Sequence, residues 1–487
     1  MVLLFGSLVM AETISQQIYQ VIQTSNLSSA SISISVRNVK DGSVVFSHYG
    51  NKALVPASTM KWVTAITAVE TLGFEHRVNT DLQIRGEISK NKILGDLIIY
   101  GRGDPDLTVQ DLNVWAKQLS HQGIDSITGQ VIVDNSYFET SNLSSGWVWD
   151  DLSFGYAAPF SSTNIEHNTT KVTIQPPRSS SQKTTWNGGV LEECLTFESN
   201  KDPVAKMHLY RQLGTDVIWA NGGDIVGAPR TSTTVSISNP TQCIQKLFTK
   251  ILNNHGISIK NQYNEGRQVI RIAQKESLSL QEMLVIMLKQ SHNLYAEIIT
   301  RWIDPAPREK SIHGARNVFA SILQKAGVHP KEWRIEDGSG LSRYNLMSAD
   351  ALSKLSVYAY QQSYGKELYQ LLPIAGVDGT LARRMQNGLA KGNVHAKTGS
   401  MSTMKNISGY VTSRDQQLLA ITILMNGYVG SPSDMIQIQD QILEIIASGN
   451  VEQEIHYQQK VSQKVKQRLA QRWFRQFWTQ ENHEAKK

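Results

Sequence analysis

The order in which differently patterned segments follow one another limits this chain more than any single residue does. Between Ile32 and Asn38 apolar and polar residues alternate, Asp41-Gly42 forms a turn, and Ser43 to His48 resumes the extended pattern, which predicts a hairpin. Pro56-Ala57-Ser58 then opens a helix that carries Met60, Ile66, Val69 and Leu72 and stops at Gly73. From about Asp81 the character changes to short apolar runs broken by Gly86, Gly95, Gly101 and Gly103. Val131 to Val133, Asn168 to Ile174 and Asp216 to Ala220 read as further strands, and the Ser-rich stretch Arg178 to Thr185 as a loop. Helical pattern returns over Leu278–Leu288, Leu294–Trp302, Ala315–Ala326 and Ala349–Gln361, and three strands follow at Val394–Ser400, Ile407–Ser413 and Leu418–Met425. Hairpin, helix, β-rich stretch, helices, sheet is the order expected of an α/β (α+β) domain split by an insertion after its first helix. The boundaries that follow are 12–78 with 269–450 for the split domain and 79–268 for the insert. The insert itself divides into 79–160 with 225–268, and 161–224.

The chain's 487 residues predict two to four domains, and 40% hydrophobic against 18% charged residues is enough to build cores. No apolar run approaches the roughly 18–20 residues that span a bilayer. The formal charge of +6 is concentrated at one end: Val451 to Lys487 holds five Lys and three Arg against four Glu, a net of +4 that leaves +2 for everything else. No folded domain therefore shows the basic face that a nucleic-acid partner requires. Between Tyr457 and Gln480 there is no acid. Val461, Val465, Leu469 and Trp473 recur every fourth residue, with Phe474, Phe477 and Trp478 beside them. That is the pattern of a basic amphipathic helix on an anionic membrane surface; a helix docked on the protein body is the alternative.

At the other end, Val2 to Ala11 reads as the apolar core of a secretory signal with Val9 and Ala11 at cleavage positions, although it lacks a basic start. A buried strand or helix is the other reading. Cys194 and Cys243 are the two cysteines; an oxidising compartment would allow one disulfide, and their spacing fits neither a zinc site nor a catalytic thiol. The twelve His show no ligand spacing, so no metal and no cofactor is expected.

Three short motifs carry chemistry. Ser58-Thr59-Met60-Lys61 fits Ser-x-x-Lys, Ser291-His292-Asn293 fits Ser-x-Asn, and Lys397-Thr398-Gly399 fits Lys-Thr-Gly. Ser-x-x-Lys recurs at Ser89, Ser180, Ser363 and Ser402, and Ser-x-Asn at Ser89, Ser162 and Ser448, so context has to separate signal from chance. Only Ser58 opens an apolar-periodic helix, which puts Lys61 one turn on along the same face. Only Ser291 lies between two helical segments, and Lys-Thr-Gly sits inside a predicted strand. A serine hydroxyl attacks only when a base removes its proton, and a lysine amine becomes that base if burial or a second cation lowers its pKa. Lys397 supplies such a charge and a carboxylate partner. The helix start at Ser58 offers one backbone N–H to an oxyanion, and Ser400 on its strand a second.

This trio is known from serine β-lactamases and penicillin-binding proteins. The chain resembles one group in particular, the class C low-molecular-mass penicillin-binding proteins, which are D-alanyl-D-alanine carboxypeptidase/endopeptidases. Gly101-Arg102-Gly103-Asp104-Pro105, Gly146-Trp147-Val148-Trp149-Asp150-Asp151-Leu152 with Tyr156-Ala157-Ala158-Pro159, Asp337-Gly338-Ser339-Gly340-Leu341-Ser342-Arg343, and Gly376-Val377-Asp378-Gly379-Thr380 are similar to that family's segments. The likeness runs from about Ala30 to Gly427. It implies a penicillin-binding catalytic domain split by β-rich inserts, Ser58 as the acylated nucleophile and Lys61 as its base. Ser291 would pass a proton to the leaving D-alanine amine, and Asn293 would position the substrate amide and Lys61. Lys397, Thr398, Gly399 and Ser400 would bind the terminal carboxylate and complete the oxyanion hole. Asp151, Tyr156 and Arg343 fall where the family has residues near substrate, with Tyr156 where a Phe is often seen; Asp151 and Arg343 read equally as a structural ion pair. His292 occupies a variable position and receives no role. The implied partners are peptidoglycan peptides ending in D-Ala-D-Ala and β-lactams that acylate the serine, in an exported, periplasmic enzyme. Ser58 and Ser291 are 233 positions apart, far more than a β-lactamase needs, which weighs against that rival; a non-catalytic β-lactam or wall sensor is the other.

Overall fold

The structure is a computed structural model that describes residues 12–25, 29–139, 141–201, 207–262, 268–464 and 467–468. It divides into two compact units, one of 1–54 with 348–487 and one of 55–347. The secretory-signal reading of Val2 to Ala11 lies outside the described residues, as do Val465, Leu469 and the tail aromatics from Trp473 to Trp478.

The first unit is built on an antiparallel five-stranded sheet in the order His395–Met401, Met404–Thr412, Leu418–Asn426, Ser31–Asn38, Val44–His48. The predicted hairpin is its last two strands. Side-chain alternation on Ser31–Asn38 explains how the sheet is covered on both faces. Ile32, Ile34 and Val36 enter an apolar core with residues of the helices Ile14–Thr24 and Pro432–Ser448. The intervening Ser33 and Ser35 are equally buried. Ser35 is bonded to the helix Ala349–Gln361, through Asp350 at 2.7 Å and Ser353 at 2.8 Å. The chain continues as helix from 451 to 464, and its first turns dock on this unit. Buried Glu454 accepts a hydrogen bond from the Ser15 backbone N–H (2.9 Å), and Gln458 donates to the Val45 carbonyl.

In the second unit the helix Met60–Leu72 is enclosed on nearly every side, which its run of apolar residues and threonines permits. It packs against Leu280–Lys289, Asn293–Ile303 and Ile312–Lys325. Between them in sequence lies an insert with its own sheets and core. Its main sheet pairs Asn79–Ser89 with Lys92–Tyr100 and with Val269–Glu276. Gly86 and Gly95 sit directly opposite each other there; a Cβ on either would meet a facing carbonyl oxygen at 2.1 Å, so the two strands close only without side chains at that point. Two three-stranded sheets follow, one of Thr169–Gln175, Thr185–Asn187 and Thr231–Ser236, the other of Thr196–Ser199, His208–Arg211 and Val217–Asn221.

The insert is not purely β. Helices Val109–His121 and Pro240–Asn254 pack on each other, with Trp115 edge-on to Phe248. Both start on strong signals, Thr108 in a capping box with Asp111 and Asn239 ahead of Pro240. Cys194 and Cys243 form a disulfide that ties the turn Gly189–Cys194 to the second of these helices.

Candidate active site

Ser58 sits in a single 3₁₀ turn, Ala57–Thr59, that leads into the helix Met60–Leu72. The turn is entered through a left-handed Ala57 (φ +48°), and a non-glycine residue with positive φ persists only where its surroundings force it. The force comes from the loop Asp337–Ser342. Gly340, itself at φ +81°, lies so close that a Cβ would stand 1.9 Å from the Ala57 carbonyl oxygen. Thr64, one turn beyond Lys61, donates to the Gly338 carbonyl at 2.8 Å. The loop is held in turn by fully buried Asp337. Its two oxygens accept from the N–H groups of Gly340 (2.7 Å) and Ser342 (2.6 Å), the Asn345 amide (2.6 Å) and the Trp147 indole (2.9 Å).

Lys61 has no exposed surface. Its Nζ lies 2.9 Å from Ser58 Oγ, 2.5 Å from Asn293 Oδ1 and 2.6 Å from the Ser339 carbonyl oxygen. Burial pulls its pKa down to about 7, against the opposing pull of the Asp337 and Glu297 carboxylates. This coordination suits either protonation state. An ammonium has three N–H bonds for three acceptors; a neutral amine keeps two for Asn293 and Ser339 and turns its lone pair to the serine hydroxyl. The second form is a base in contact with a nucleophile.

Ser291 lies in the turn between the helices Leu280–Lys289 and Asn293–Ile303, again at a left-handed φ of +62°. Asn293 opens the second helix with both ends of its amide engaged: Oδ1 faces Lys61, and Nδ2 donates to the Tyr156 carbonyl at 2.6 Å. Tyr156 stacks on Phe154 and gives its hydroxyl to Asp151 Oδ1 at 2.6 Å, and burial together with that carboxylate raises its pKa. The charge of Arg343 acts on the same hydroxyl, and the Arg343 N–H is held by the Gly146 carbonyl (3.1 Å). Ser58, Lys61, Ser291, Asn293, Tyr156, Asp151 and Arg343 thus all belong to one unit.

Lys397, Thr398, Gly399 and Ser400 belong to the other unit, on the edge strand of its sheet. The Ala396 N–H points outward from that sheet to the Pro373 carbonyl (2.9 Å). Alternation then turns the N–H groups of Thr398 and Ser400 to the same outer edge. The Lys397 side chain is buried, with Nζ 2.7 Å from the Thr398 carbonyl oxygen, and Thr398 Oγ1 contacts Thr380 Oγ1 at 2.8 Å.

Some residues that matter here had no role assigned from sequence. Glu297 and Arg301 follow Asn293 at four-residue steps and form a buried ion pair of 2.6 Å. Glu297 also accepts from Ser339 N–H and Ser144 Oγ, both at 3.0 Å, which ties the Asn293 helix to the Asp337 loop. Two charges spaced four apart in an apolar helix were the available signal. His292 packs edge-on to Tyr295 and beside His167, and burial holds its pKa down to about 4, so the ring is neutral. Asp104, in the segment that resembles the family's Gly-rich one, is buried and paired with Lys275 at 2.6 Å. Among the described residues no cluster of His, Cys, Asp and Glu is placed to hold a metal, and no helix is long and apolar enough to cross a membrane.

Comparison with known proteins gives this geometry its context. The chain is 28% identical over 450 residues to a D-alanyl-D-alanine carboxypeptidase of an Actinomadura species, covering 88% of this chain and 83% of that one. It is 27% identical over 411 residues to the D-alanyl-D-alanine carboxypeptidase DacB of Haemophilus influenzae, covering 80% and 84%. The crystal structure of penicillin-binding protein 4 from Haemophilus influenzae superposes with a TM-score of 0.79 at 24% identity, over 88% of this chain and 99% of that one. The same protein complexed with a β-lactam gives 0.73. The fold is therefore that of penicillin-binding protein 4, a mixed helix-and-sheet architecture. Residues 14–448 match the D-Ala-D-Ala carboxypeptidase 3 (S13) family, and the chain, a serine-type peptidase, belongs to it.

Proposed function

We propose that Ser58 is the nucleophile of an exported, periplasmic D-alanyl-D-alanine carboxypeptidase/endopeptidase, acting on peptidoglycan stem peptides and inhibited by β-lactams. The observation that carries this reading is the contact between the Ser58 hydroxyl and a buried amine whose pKa is about 7. In acylation the neutral Lys61 amine takes the proton of Ser58 Oγ as that oxygen attacks the carbonyl of the penultimate D-alanine. Ser291 hands a proton to the departing amine. Asn293 keeps Lys61 in line with one end of its amide and, through the other, fixes Tyr156. Lys397 with Thr398, Gly399 and Ser400 binds the terminal carboxylate and supplies the oxyanion donor. Asp151, Tyr156 and Arg343 contact the stem peptide. Water then hydrolyses the ester with Lys61 as base. A β-lactam enters the same path, but its leaving amine stays tethered to the acyl group.

The experiment is labelled penicillin followed by mass spectrometry of the adduct, beside a D-alanine release assay, on the wild type and Ser58→Ala. One label on Ser58, slow release of the drug, and D-alanine formed only by the wild type are expected. Rapid penicillin turnover would make the protein a β-lactamase. Labelling without D-alanine release would make it a sensor.

A disulfide in the insert favours an oxidising compartment. The same proposal includes peripheral membrane contact through the basic stretch 457–480. Because Glu454 and Gln458 anchor the helical residues 451–464 to the body, the test is truncation after Lys464. The truncated enzyme should leave the membrane fraction with its penicillin labelling intact; unchanged partitioning would remove the idea.

A further inference from the structure

Arg301 reaches Glu139 at 3.2 Å and lies 3.7 Å over the Phe160 ring. Glu139 and Phe160 also wall a cavity of about 590 Å³ that none of Ser58, Lys61, Ser291 and Asn293 lines, a volume within the range of small-molecule sites. Its parts differ in chemistry. Phe138 and Phe160 are buried and give the floor two phenyl rings. Asn135 is framework: its amide donates to Thr241 Oγ1 and accepts from Ser161 Oγ at 2.9 Å. The rim is different. Ser136, Asn142 and Glu309 are exposed there, and their side chains form no hydrogen bond or ion pair among the described residues. Glu309 has a left-handed backbone (φ +51°), with its N–H on the Ser136 carbonyl (3.3 Å) and the Lys310 N–H on the Tyr137 carbonyl (3.1 Å). A glutamate keeps such a conformation only where its surroundings impose it.

We infer that this cavity is a second, non-catalytic site that holds N-acetylated amino sugars of the glycan strand, so that the enzyme grips the polymer whose stem peptides it trims. It rests on the acyl-transfer reading above only for the identity of the polymer. Three observations support it. First, charge: among the described residues no Lys or Arg lines the cavity, whereas Glu139 and Glu309 do. Phosphates and the free carboxylates of stem peptides are therefore poor occupants. The Glu139 charge is met by Arg301, so the cavity has no pair of open carboxylates for a polycation either. Second, the two rings under a polar rim suit a ligand with an apolar face and a hydroxylated edge, which is the make-up of a sugar ring. Third, the open Asn142 amide offers a donor and an acceptor together, as the N–H and C=O of an acetamido group require, and the Glu309 carboxylate accepts from sugar hydroxyls.

The gain is one of effective concentration. A glycan strand carries many stem peptides, so holding the strand at one point crowds stems around Ser58 without any new contact to the reacting bond. Binding here should therefore matter for the polymer and not for a free peptide.

The test uses the full-length protein acylated at Ser58 with penicillin, which closes the catalytic site, and titrates it by calorimetry with a tetramer of N-acetylglucosamine. The acylated wild type should bind. Ser136→Trp and Asn142→Trp fill the mouth and should weaken binding by about tenfold or more, as expected when a subsite is blocked. Glu309→Gly suits the left-handed backbone and removes the carboxylate; it should cost about tenfold, the worth of a hydrogen bond to a charged group. In the unacylated enzymes, KM for D-alanine release from isolated cell walls should rise about fivefold or more, while soluble pentapeptide turnover and penicillin labelling change less than about twofold. Should a Trp variant fail to fold, as its penicillin labelling would report, Glu309→Gly and Asn142→Ala carry the test. No binding of the tetramer by the acylated wild type, undiminished binding by labelled variants, or equal KM rises on walls and on soluble peptide would each overturn the inference. Failure of the underlying reading looks different: the wild type would take no label at Ser58 and release no D-alanine from either substrate.

Discussion

A lysine with no solvent contact, three polar neighbours and two carboxylates nearby is poised rather than charged outright. Burial disfavours the ammonium and pulls Lys61 down, while Asp337 and Glu297 stop the fall near 7. The active form is the neutral amine, so the sign is set: lowering the pH through about 7 protonates Lys61 and removes the base. The rate constant for acylation by a chromogenic or fluorescent penicillin should drop about tenfold per pH unit well below 7 and level off above it. His292 is neutral across this whole range and adds no second step near neutrality. A rate that stays flat between pH 5.5 and 8, at constant ionic strength, would remove Lys61 as the titrating base.

At the scale of elements, the helix Asn293–Ile303 is a spine with function at one end and a buried ion pair further down. Arg301 reaches Glu297 at 2.6 Å and Glu139 at 3.2 Å, and its guanidinium lies 3.7 Å over the Phe160 ring. Replacing Arg301 by Met leaves Glu297 buried against Asp337 with its positive partner gone, and burial and Asp337 already raise the Glu297 pKa. The expected cost is about 3–5 kcal/mol in urea unfolding, the size seen when one half of a buried pair is removed. Glu297→Gln/Arg301→Met together should recover much of that loss, since the orphaned charge is gone; a double variant as unstable as the single one would refute the account. The spacing 293, 297, 301 is visible in the sequence, and so is the motif at its head. What cannot be read there is that the charges are buried, because their partners Ser144 and Ser339 arrive from 153 and 42 residues away in the chain. The same limit explains the helices. Lys-Thr-Gly and Ser-x-x-Lys announce themselves locally, whereas Val109–His121 lies among strand-like runs and draws its stability from Pro240–Asn254, a long way along the chain. Its cap and the spacing of Leu112, Trp115, Ala116 and Leu119 were nonetheless on the page.

For the whole molecule, the order of patterned segments predicts one split domain, 12–78 with 269–450, that holds all three motifs; the compact units of the structure are drawn differently, with Ser58 and Ser291 beside the insert in one and Lys397 in the other. The two cysteines show how far such reading reaches. Their number allowed one bridge; whether they pair depends on a Cα separation of 5.2 Å that only the folded insert fixes. The bridge closes a segment of 49 positions, for which the loss of unfolded-chain entropy is worth roughly 4 kcal/mol. It joins a turn bearing Leu191 to a helix bearing Ile244, Leu247 and Phe248, all in the insert's own core. None of its residues touches Ser58, Lys61 or Asn293 in the hydrogen-bond network described above. Reduction, or Cys194→Ala/Cys243→Ala, should therefore lower the melting temperature while penicillin labelling at 25 °C keeps its rate. D-alanine release at 25 °C should keep its rate as well. Loss of labelling and D-alanine release at 25 °C on reduction would mean instead that insert and nucleophile unfold as one cooperative body.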